Sequence, residues 1–390
     1  MIDLIFALRK SMLALISFSL IATLSGCNVN SSITGPGSVL NIAEPVPVAL
    51  LIPQSVKETQ HIALSIENAA RLAIADLGNI RVDLRVYDTA GSAVVAGQVA
   101  QQAVNQGAKI ILGPLFAEAA NAAGLAVADE GINVLSFSNN ASIAGGNVFV
   151  LGQTFDNTAN RLVQFAAAQG KRKAIIVHPN NVEGEFGRIA LEKAADQSSL
   201  KIVASQAFEF SREGVVNTVP LVRAAVEIED ADLLFLTSTT AGALGLLIQM
   251  LPEAGINSET MQYAGLARWD IPPQNLELSG IQGGWFTIPD REMLAKFSAR
   301  YEASYQRKPH HLASLSYDGI AAIGALVFSE GQNALSKSSL TQQAGFEGVD
   351  GIFRFKSNGT NERGLAIARI ENKQVKIIDP APASFGRAGF

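Results

Sequence analysis

The chain has 390 residues, of which 48% are hydrophobic and 17% charged, a composition that allows a large buried core, excludes wholesale disorder and predicts more than one domain. The formal net charge is −5, from 30 Lys and Arg against 35 Asp and Glu, and no basic domain stands out, so nucleic-acid binding is not expected. One cysteine excludes an internal disulfide and a cysteine-rich metal site, and four histidines leave little material for another, so we expect no metal or cofactor.

Residues 1–26 have the features of a secretory signal peptide. Arg9 and Lys10 supply the positive charge, and residues 12–24 form an apolar run that is too short for a membrane span of about 20 residues. The run ends in Leu-Ser-Gly-Cys, which resembles the lipobox of bacterial lipoproteins. The sequence therefore predicts that Cys27 is lipidated and anchors the protein to a membrane.

The segment that follows the cysteine is predicted to be a lipidated tether. Residues 27–46 are mostly polar, contain Gly and Pro, and show no regular hydrophobic period. In the sorting rule of enteric bacteria, Asp after the cysteine retains a lipoprotein in the inner membrane. Asn28 stands there, so we expect a periplasmic protein anchored in the outer membrane rather than the inner one.

From residue 46 onward, short apolar segments alternate with amphipathic ones. Strands are predicted at 46–51, 81–87, 109–112, 133–137, 173–177, 201–208 and 232–236. Helices are predicted at 62–77, 93–105, 118–129, 159–169, 186–196, 215–227, 242–252, 293–305 and 314–329. Apolar strands separated by helices are typical of parallel sheets covered on both faces, so the fold class is α/β.

The last part of the chain has a different pattern. The pattern predicts strands at 351–355, 364–370 and 375–378, joined by short turns that contain Asn or Gly. Short turns indicate that these last strands pair in antiparallel fashion. The β/α units are too many for one sheet. We therefore predict two doubly wound parallel-sheet lobes with a ligand cleft between the carboxyl ends of their strands.

Several segments together resemble the type 1 periplasmic binding proteins, the Leu/Ile/Val-binding group. They are residues 66–88 (IENAARLAIADLGNIRVDLRVYD), 107–117 (GAKIILGPLFA), 131–140 (GINVLSFSNN), 148–156 (VFVLGQTFD), 316–319 (SYDG) and 351–355 (GIFRF). The resemblance covers roughly residues 46–378. It implies two lobes joined by three crossovers, which we expect near 153–155, 283–286 and 331–340.

The resemblance also implies how the chain is divided between the lobes. We expect lobe 1 to contain residues 47–154 and 284–335. We expect lobe 2 to contain residues 155–283 and 336–380.

Two motifs are most similar to one branch of the group, the penicillin-binding protein activators. They are GPLFAEA at 113–119 and SFSNN at 136–140. The branch implies a non-catalytic lipoprotein that acts on peptidoglycan synthesis through contact with a penicillin-binding protein or another cell-envelope protein. The alternative is the substrate-binding protein of an ABC importer for amino acids or similar small polar solutes.

The positions that hold an amino acid in the resembling proteins are only partly matched. Where a hydroxyl opens a helix and holds the ligand carboxylate, this chain has Ala117 followed by Glu118. The resembling proteins also have a tyrosine in the second lobe, and this chain has Phe186 and its neighbours in that region instead. No carboxylate stands at 265–267 for the ligand ammonium group, and Asp270 lies a few residues further on. Free branched-chain amino acids are therefore expected to bind weakly.

The candidate site residues follow from this comparison. Those expected to line the ligand cleft are His61, Phe116, Ala117, Ser136, Ser138, Asn139, Asn140, Phe186, Thr237 and Asp270. Those expected to contact a partner protein are Arg268 and Trp269, in the loop at 266–275 that Pro272 and Pro273 stiffen. The alternative for Trp269 is a place over the core of lobe 2.

The sequence contains none of the common catalytic motifs that we sought. It has no GxSxG, HExxH, GxGxxG or phosphate-binding GxxxxGK[ST]. Ser198 and Lys201 match SxxK, but the partner motifs are absent, so we attribute the match to chance. The protein is not expected to be an enzyme.

Overall fold

The structure is a computed structural model that describes residues 38–239 and 241–386. The signal peptide, Cys27 and the first part of the tether lie outside the described residues. Within those ranges, every helix is too short or too polar to span a membrane.

The chain first builds a five-stranded parallel sheet. The elements in chain order are β1 (Val46–Ile52), α1 (Gln60–Asp76), β2 (Val82–Asp88), α2 (Ala93–Asn105), β3 (Ile110–Leu112), α3 (Ala117–Ala126), β4 (Asn133–Ser136), a 3-10 turn (Ala141–Ile143) and β5 (Val148–Val150). The strand order is β2-β1-β3-β4-β5, and every pair is parallel.

The next segment builds most of a second sheet. Its elements are α4 (Phe155–Ala168), β6 (Lys173–Pro179), α5 (Val182–Ala195), β7 (Lys201–Phe208), α6 (Arg212–Glu229), β8 (Leu233–Leu236), α7 (Leu244–Glu253), β9 (Gln262–Gly265), two 3-10 turns (Pro273–Glu277 and Ser279–Ile281) and β10 (Trp285–Ile288). Strands β6 to β10 pair in parallel.

The chain then returns to the first sheet and ends on the second. The elements are α8 (Arg291–Tyr305), α9 (Ala313–Glu330), a 3-10 turn (Gly331–Asn333), α10 (Lys337–Leu340), β11 (Phe346–Gly348), β12 (Gly351–Phe355), β13 (Asn361–Arg363), β14 (Ala366–Glu371) and β15 (Gln374–Asp379). Strands β11 to β13 form a small antiparallel sheet. Strands β14 and β15 extend the second sheet with antiparallel pairing, giving the order β15-β14-β10-β9-β8-β6-β7.

We define lobe 1 as residues 38–153 and 289–364, and lobe 2 as residues 154–288 and 365–382. The chain crosses between them after β5, after β10 and after β13. The predicted fold class, two α/β lobes built on doubly wound parallel sheets, is confirmed.

Helices cover both faces of the lobe 1 sheet. Leu50 and Leu112 point to the face covered by α1 and α9, where they join a cluster that includes Ile320. The neighbouring residues Leu51 and Ile111 point to the opposite face, which is covered by α2 and α3. This alternation explains why the strands are apolar throughout, since a doubly covered strand buries both of its faces.

Lobe 2 is built in the same way. Ile176 and Phe235 pack with residues of α4 and α5 on one face of the sheet. Val177 and Leu236, one position along each strand, pack with residues of α6 and α7 on the other face. The parallel strands of both sheets are followed by loops and helix starts, and residues of these loops and helices form the walls of the site described below.

Three boundaries of the predicted lobes are wrong. Residues 38–46 were assigned to the tether, but Leu40 is buried in the core of lobe 1. Strand β10 was assigned to lobe 1 with residues 284–335, but it pairs with β9 and β14 in the lobe 2 sheet. Residues 336–363 were assigned to lobe 2, but Phe353 and Phe355 pack against Phe149 in the core of lobe 1. The third crossover therefore lies at 363–366 and not at 331–340. Contacts with residues far away in sequence decided the last two assignments: strand pairing for β10 and side-chain packing for residues 336–363.

Candidate functional site

A cavity of about 770 Å³ lies between the two lobes. Lobe 1 contributes the loop before α3, the loop after β4 and the hairpin between β12 and β13. Lobe 2 contributes the first turn of α4 and one face of α5. The residues that line it are Leu115, Phe116, Ala117, Ser138, Asn139, Asn140, Ala141, Ser142, Thr154, Phe155, Asp156, Val182, Glu183, Phe186, Ile189, Ala190, Lys193, Lys356, Asn358, Thr360 and Asn361.

The tight turn after β3 positions Phe116 and Ala117 on the wall of lobe 1. Gly113 has a φ of +90°, and a Cβ atom there would lie 2.3 Å from the carbonyl oxygen of Leu51, so only glycine fits. Helix α3 then begins at Ala117, and within the described chain its N-terminus has no side-chain cap. Glu118 is exposed and does not line the cavity, so its negative charge does not oppose an anionic ligand there.

The loop after β4 supplies the polar part of the lobe 1 wall. The hydroxyl of Ser138 accepts a hydrogen bond from the amide of Asn140 at 3.1 Å, and the Asn140 side chain caps the following 3-10 turn. Ser136 was predicted to line the cleft, but it is fully buried below the wall. Its hydroxyl donates to the carbonyl oxygen of Pro114 at 3.2 Å, which ties this loop to the turn before α3.

The wall of lobe 2 is mainly apolar, with one ion pair. Phe186 and Ile189 project from α5, and Phe186 keeps 39% of its surface exposed, the same fraction as Phe116 on the opposite lobe. Lys193 of α5 lies 2.7 Å from a carboxylate oxygen of Asp156 in α4. The cavity therefore has an aromatic side chain on each wall and a charged pair on one of them.

Helix α4 is held in place by its own first residues and by the hairpin of lobe 1. Thr154 and Asn157 form a reciprocal capping box, in which each side chain accepts from the other residue's amide. The Asn157 side chain also donates to the carbonyl oxygen of Asn361 at 3.1 Å. This bond links the two lobes beside the cavity and brings the hairpin residues to its rim.

Two buried hydroxyls lie behind the wall of lobe 2. Thr237 and Ser238 directly follow β8, and within the described chain the hydroxyl oxygens of both have no hydrogen-bond partner. The sheet order reverses here, because β7 and β8 flank β6 on opposite sides, and such switch points are where α/β sheets bind ligands. Thr237 packs against Gly187 and does not line the cavity as predicted.

His61 was predicted to contact the cleft rim, but it lies in a different place. It lines a separate pocket of about 310 Å³ with Arg307, Lys308 and His310. Its ring lies 5.7 Å from the ring of His310. No group of three or more metal-binding side chains is found among the described residues. The side of α1 that carries His61 faces the loop after α8, so it is turned away from the cavity.

Asp270 and Arg268 form a close pair and do not line the cavity. Nε and Nη2 of Arg268 each donate a hydrogen bond of 2.6 Å to one carboxylate oxygen of Asp270. The pair lines a pocket of about 260 Å³ with Arg291, beside the second crossover. Asp270 is therefore neutralised by its neighbour and is not placed to pair with an ammonium group in this cavity.

Trp269, predicted to contact a partner protein, is fully buried. Its ring stacks on Phe286 at 6.5 Å and occupies space left by two glycines, Gly265 and Gly284. The residue fills the core of lobe 2, which was the alternative considered for it. The polar and prolyl neighbours in its loop suggested exposure, whereas the two glycines that receive the ring lie in other segments.

Several residues of the cavity were not found from the sequence. Phe155 and Asp156 follow a capping box at Thr154 that could have revealed a helix start at the crossover, whereas Lys193 lies in the last turn of α5 and no such signal marks it. A second group, Lys356, Asn358, Thr360 and Asn361, lies on the hairpin that was assigned to the other lobe. No local pattern places that hairpin at the cavity.

The chain matches the sequence profile of the periplasmic binding protein family over residues 45–374. This chain belongs to that family. Members are typically non-enzymatic ligand-binding proteins, and membership implies a periplasmic location. No curated protein sequence matches the chain as a relative.

Solved structures show the same fold at low sequence identity. A branched-chain amino acid ABC transporter periplasmic ligand-binding protein from Burkholderia xenovorans has a TM-score of 0.70 and 18% identity, over 88% of this chain and 95% of its own. An ABC transporter substrate-binding protein from Desulfitobacterium hafniense, in complex with Leu, has a TM-score of 0.63 and 16% identity, over 86% and 100%. A solute-binding protein of an ABC transporter from Rhodopseudomonas palustris, in complex with 3,4-dihydroxybenzoic acid, has a TM-score of 0.59 and 17% identity, over 86% and 96%.

Proposed function

We propose that this protein is the solute-binding component of an ABC importer and that it takes a small carboxylate with an apolar body. Branched-chain amino acids and aromatic acids are two classes of solute with this chemistry, and both are named for proteins with the same fold. The observation that carries this proposal is the cavity of about 770 Å³ between the lobes, with an aromatic side chain on each wall. Its volume falls in the range of about 300–1,000 Å³ that is usual for small-molecule sites.

The apolar part of the solute would lie between the two walls. Phe116 from lobe 1 and Phe186 from lobe 2 are both partly exposed to the cavity, and Ile189 extends the apolar surface of α5. A solute between them would remove this surface from water, which is the main source of binding energy for apolar groups.

The charged part of the solute has a cation and polar groups within reach. Lys193 lines the cavity, and its present partner Asp156 belongs to a pair that is open to solvent. Ser138 and Asn139 lie on the opposite wall, next to the uncapped N-terminus of α3, which favours an anion. These groups would hold a carboxylate at one end of the apolar body.

A thermal-shift screen tests this proposal. The panel contains leucine, valine, benzoate and 3,4-dihydroxybenzoate, with glucose and lysine as controls. A solute that binds the folded state raises the melting temperature, by an amount that corresponds to about 2.7 kcal/mol at 100 times Kd. We expect at least one apolar carboxylate to raise the melting temperature and both controls to leave it unchanged. Equal behaviour of all six compounds would count against the proposal.

A second function, activation of a penicillin-binding protein, has one observation in its favour. Ala117 at the start of α3 offers no hydroxyl to a ligand carboxylate, so an amino acid would lack one of its usual contacts. Trp269 no longer supports this function, because it is buried. Capture of penicillin-labelled proteins from detergent extracts on the immobilised protein, compared with a blank surface, tests it directly.

We also propose that Cys27 carries a lipid and that the protein is anchored in the outer membrane. The support is the lipobox-like sequence at the end of an apolar run, followed by Asn28. Labelling of cells with a palmitate analogue should mark the wild type and not Cys27→Ser. Equal labelling of both would contradict lipidation, and fractionation with the inner membrane would contradict the outer-membrane location.

A further inference from the structure

Three of the four histidines of the chain lie together on lobe 1, outside the cavity between the lobes. The centre of the His310 ring lies 5.7 Å from that of His61 in α1 and 4.1 Å from that of His311. Two further basic residues, Arg307 and Lys308, stand in the same loop between α8 and α9. Positive charges that are brought together repel one another, so this cluster favours an anion as a neighbour.

A pocket of about 310 Å³ opens beside the cluster. Its titratable lining comes from His61, Arg307, Lys308 and His310, and none of the described residues that line it is acidic. The pocket therefore presents positive charge and hydrogen-bond donors, which suit an anionic ligand and exclude a cation.

The two permanent cations of the pocket are free to bind. The side chains of Arg307 and Lys308 are exposed, and neither forms an ion pair or a hydrogen bond within residues 38–239 and 241–386. By contrast, the exposed Arg71 of α1 is paired with Glu67 at 2.7 Å. A guanidinium group offers a planar fork of donors that matches the oxygens of a phosphate, and an ammonium group adds a compact charge.

His310 is held in a form that donates through one nitrogen. Its Nδ1 atom accepts a hydrogen bond from the amide of Leu312 at 3.3 Å, and its own amide donates to the hydroxyl of Ser65 at 2.8 Å. Because Nδ1 is an acceptor, the neutral ring carries its proton on Nε2, which has no hydrogen-bond partner within the described chain. Burial, followed by the charges of His311 and His61, lowers the pKa of His310 to about 4, so the ring is neutral at pH 7.

The first turn of α1 adds backbone donors beside these side chains. Its N-cap residue, Thr59, makes no side-chain cap, and the turn contains no acidic residue. The first amides of a helix lack partners within the helix and lie at its positive end, so they attract anions. His61 belongs to this turn and lines the pocket, which places the helix start next to the four basic side chains.

We propose that this pocket binds a phosphate group, either of inorganic phosphate or of a lipid headgroup. A phosphate presents acceptor oxygens on several sides, whereas a carboxylate has two oxygens in one plane. Arg307 and Lys308 would neutralise the phosphate charge, and Nε2 of His310 would donate to a further oxygen. The site is separate from the cavity between the lobes, so it does not depend on the proposed transport function.

Titration with inorganic phosphate tests the site. Calorimetry at pH 7 and constant ionic strength should show one phosphate per chain with a Kd below about 1 mM, while acetate, a carboxylate, should bind at least about tenfold more weakly. In NMR spectra of the imidazole groups, the signals of His61 and His310 should shift during the phosphate titration. The signal of His178, which is buried in lobe 2, should not move. Absence of phosphate binding, or equal affinities for phosphate and acetate, would overturn the proposal.

Substitutions of exposed side chains locate the site without disturbing the fold. Arg307→Gln and Lys308→Gln should each weaken phosphate binding by about tenfold or more, because each removes a charge-assisted hydrogen bond. Arg212→Gln is the matched control, since Arg212 is an exposed arginine of lobe 2 that also forms no ion pair within the described chain. Unchanged affinity in both pocket variants, or an equal loss in the control, would place phosphate elsewhere and contradict the proposal.

Vesicles of phosphatidylglycerol distinguish the two sources of phosphate. The protein with Cys27→Ser is used, so that no lipid on the cysteine contributes to binding. A headgroup ligand should retain this protein on the vesicles, inorganic phosphate should displace it, and Arg307→Gln should weaken the retention. If the protein binds phosphate in solution but stays off the vesicles, the ligand is free phosphate or a soluble phosphate ester.

Discussion

The ammonium group of Lys193 on α5 lies 2.7 Å from a carboxylate oxygen of Asp156 on α4, and both side chains line the cavity between the lobes. The pair is open to solvent, with 63% of the lysine side chain exposed, so it adds little to folding stability. A carboxylate ligand would compete with Asp156 for the same cation. The pair therefore gives a first prediction for solute binding.

Lys193→Met should weaken the binding of an acidic solute by about 10- to 150-fold, because a charged hydrogen bond contributes about 1.5–3 kcal/mol. The unfolding midpoint in urea should stay almost unchanged. Lys296→Met on α8, which breaks a similarly exposed pair with Glu292, is the matched control and should leave affinity unaltered. Equal affinities of wild type and Lys193→Met would remove Lys193 from the site.

Phe186→Ala should reduce affinity for the apolar solute by tenfold or more. A phenyl ring that is partly exposed to the cavity contributes a large share of the roughly 1.5–3 kcal/mol available from burying such a side chain. Phe328→Ala, which removes a ring that is 84% exposed on α9, is the control. A competition assay that gives the same affinity for both variants would show that the cavity does not hold the apolar group.

Trp269→Ala should destabilise lobe 2 by about 3–5 kcal/mol, as expected for removal of a large buried ring. Urea unfolding followed by the fluorescence of Trp285, the remaining tryptophan, measures this change. Arg268→Ala removes the half-buried ion pair with Asp270 next to it and should cost less than the loss of the ring. If Trp269→Ala unfolds at the wild-type urea concentration, the ring does not pack as described.

Asp318→Asn should change how stability depends on pH. Burial, followed by the nearby Asp350 charge, raises the pKa of Asp318 to about 7, so the folded protein binds more protons than the unfolded chain between about pH 4 and pH 7. The free energy of unfolding contributed by this group therefore falls as pH rises through that interval.

Comparing wild type with Asp318→Asn isolates the contribution of the Asp318 carboxyl group to the pH dependence of unfolding. Carboxylates with lowered pKa, such as Asp76 and Asp88, have the opposite slope but are fully ionised above about pH 5 in both proteins. Relative to wild type, Asp318→Asn should gain on the order of 2 kcal/mol between about pH 5 and pH 8. If urea unfolding gives the same free-energy difference between the two proteins at both pH values, Asp318 does not titrate in this interval.

The sequence was sufficient for the fold class because the evidence for it is local. Strands such as β1 and β6 are apolar at consecutive positions, and helices such as α1 have one apolar face, so each element can be recognised within its own segment. Sheet membership is not local. Nothing near β10 indicates that it pairs with β14, which lies about 80 residues further on.

The candidate site was predicted only in part, because local patterns reveal some of its residues and distant segments position the others. Phe116, Ala117, Ser138, Asn139, Asn140 and Phe186 line the cavity because they follow strands at the carboxyl edges of the two sheets. The role of Trp269 could not be predicted, since the glycines that make room for it lie in β9 and before β10. Asp270 lay near the position expected to bind the ammonium group of an amino acid. Its pairing with Arg268 instead depends on a loop conformation that no sequence pattern specifies.

Titration calorimetry of solutes into the refolded protein tests the central claim most directly. Unfolding and refolding first removes any solute carried through purification. Leucine, valine, benzoate and 3,4-dihydroxybenzoate are then titrated in turn. We predict that at least one binds at one site per chain with a Kd in the micromolar range, about −8 kcal/mol, and that Phe186→Ala weakens it. If none of the four produces binding heat at two temperatures while the protein remains folded, the cavity is not a site for apolar carboxylates.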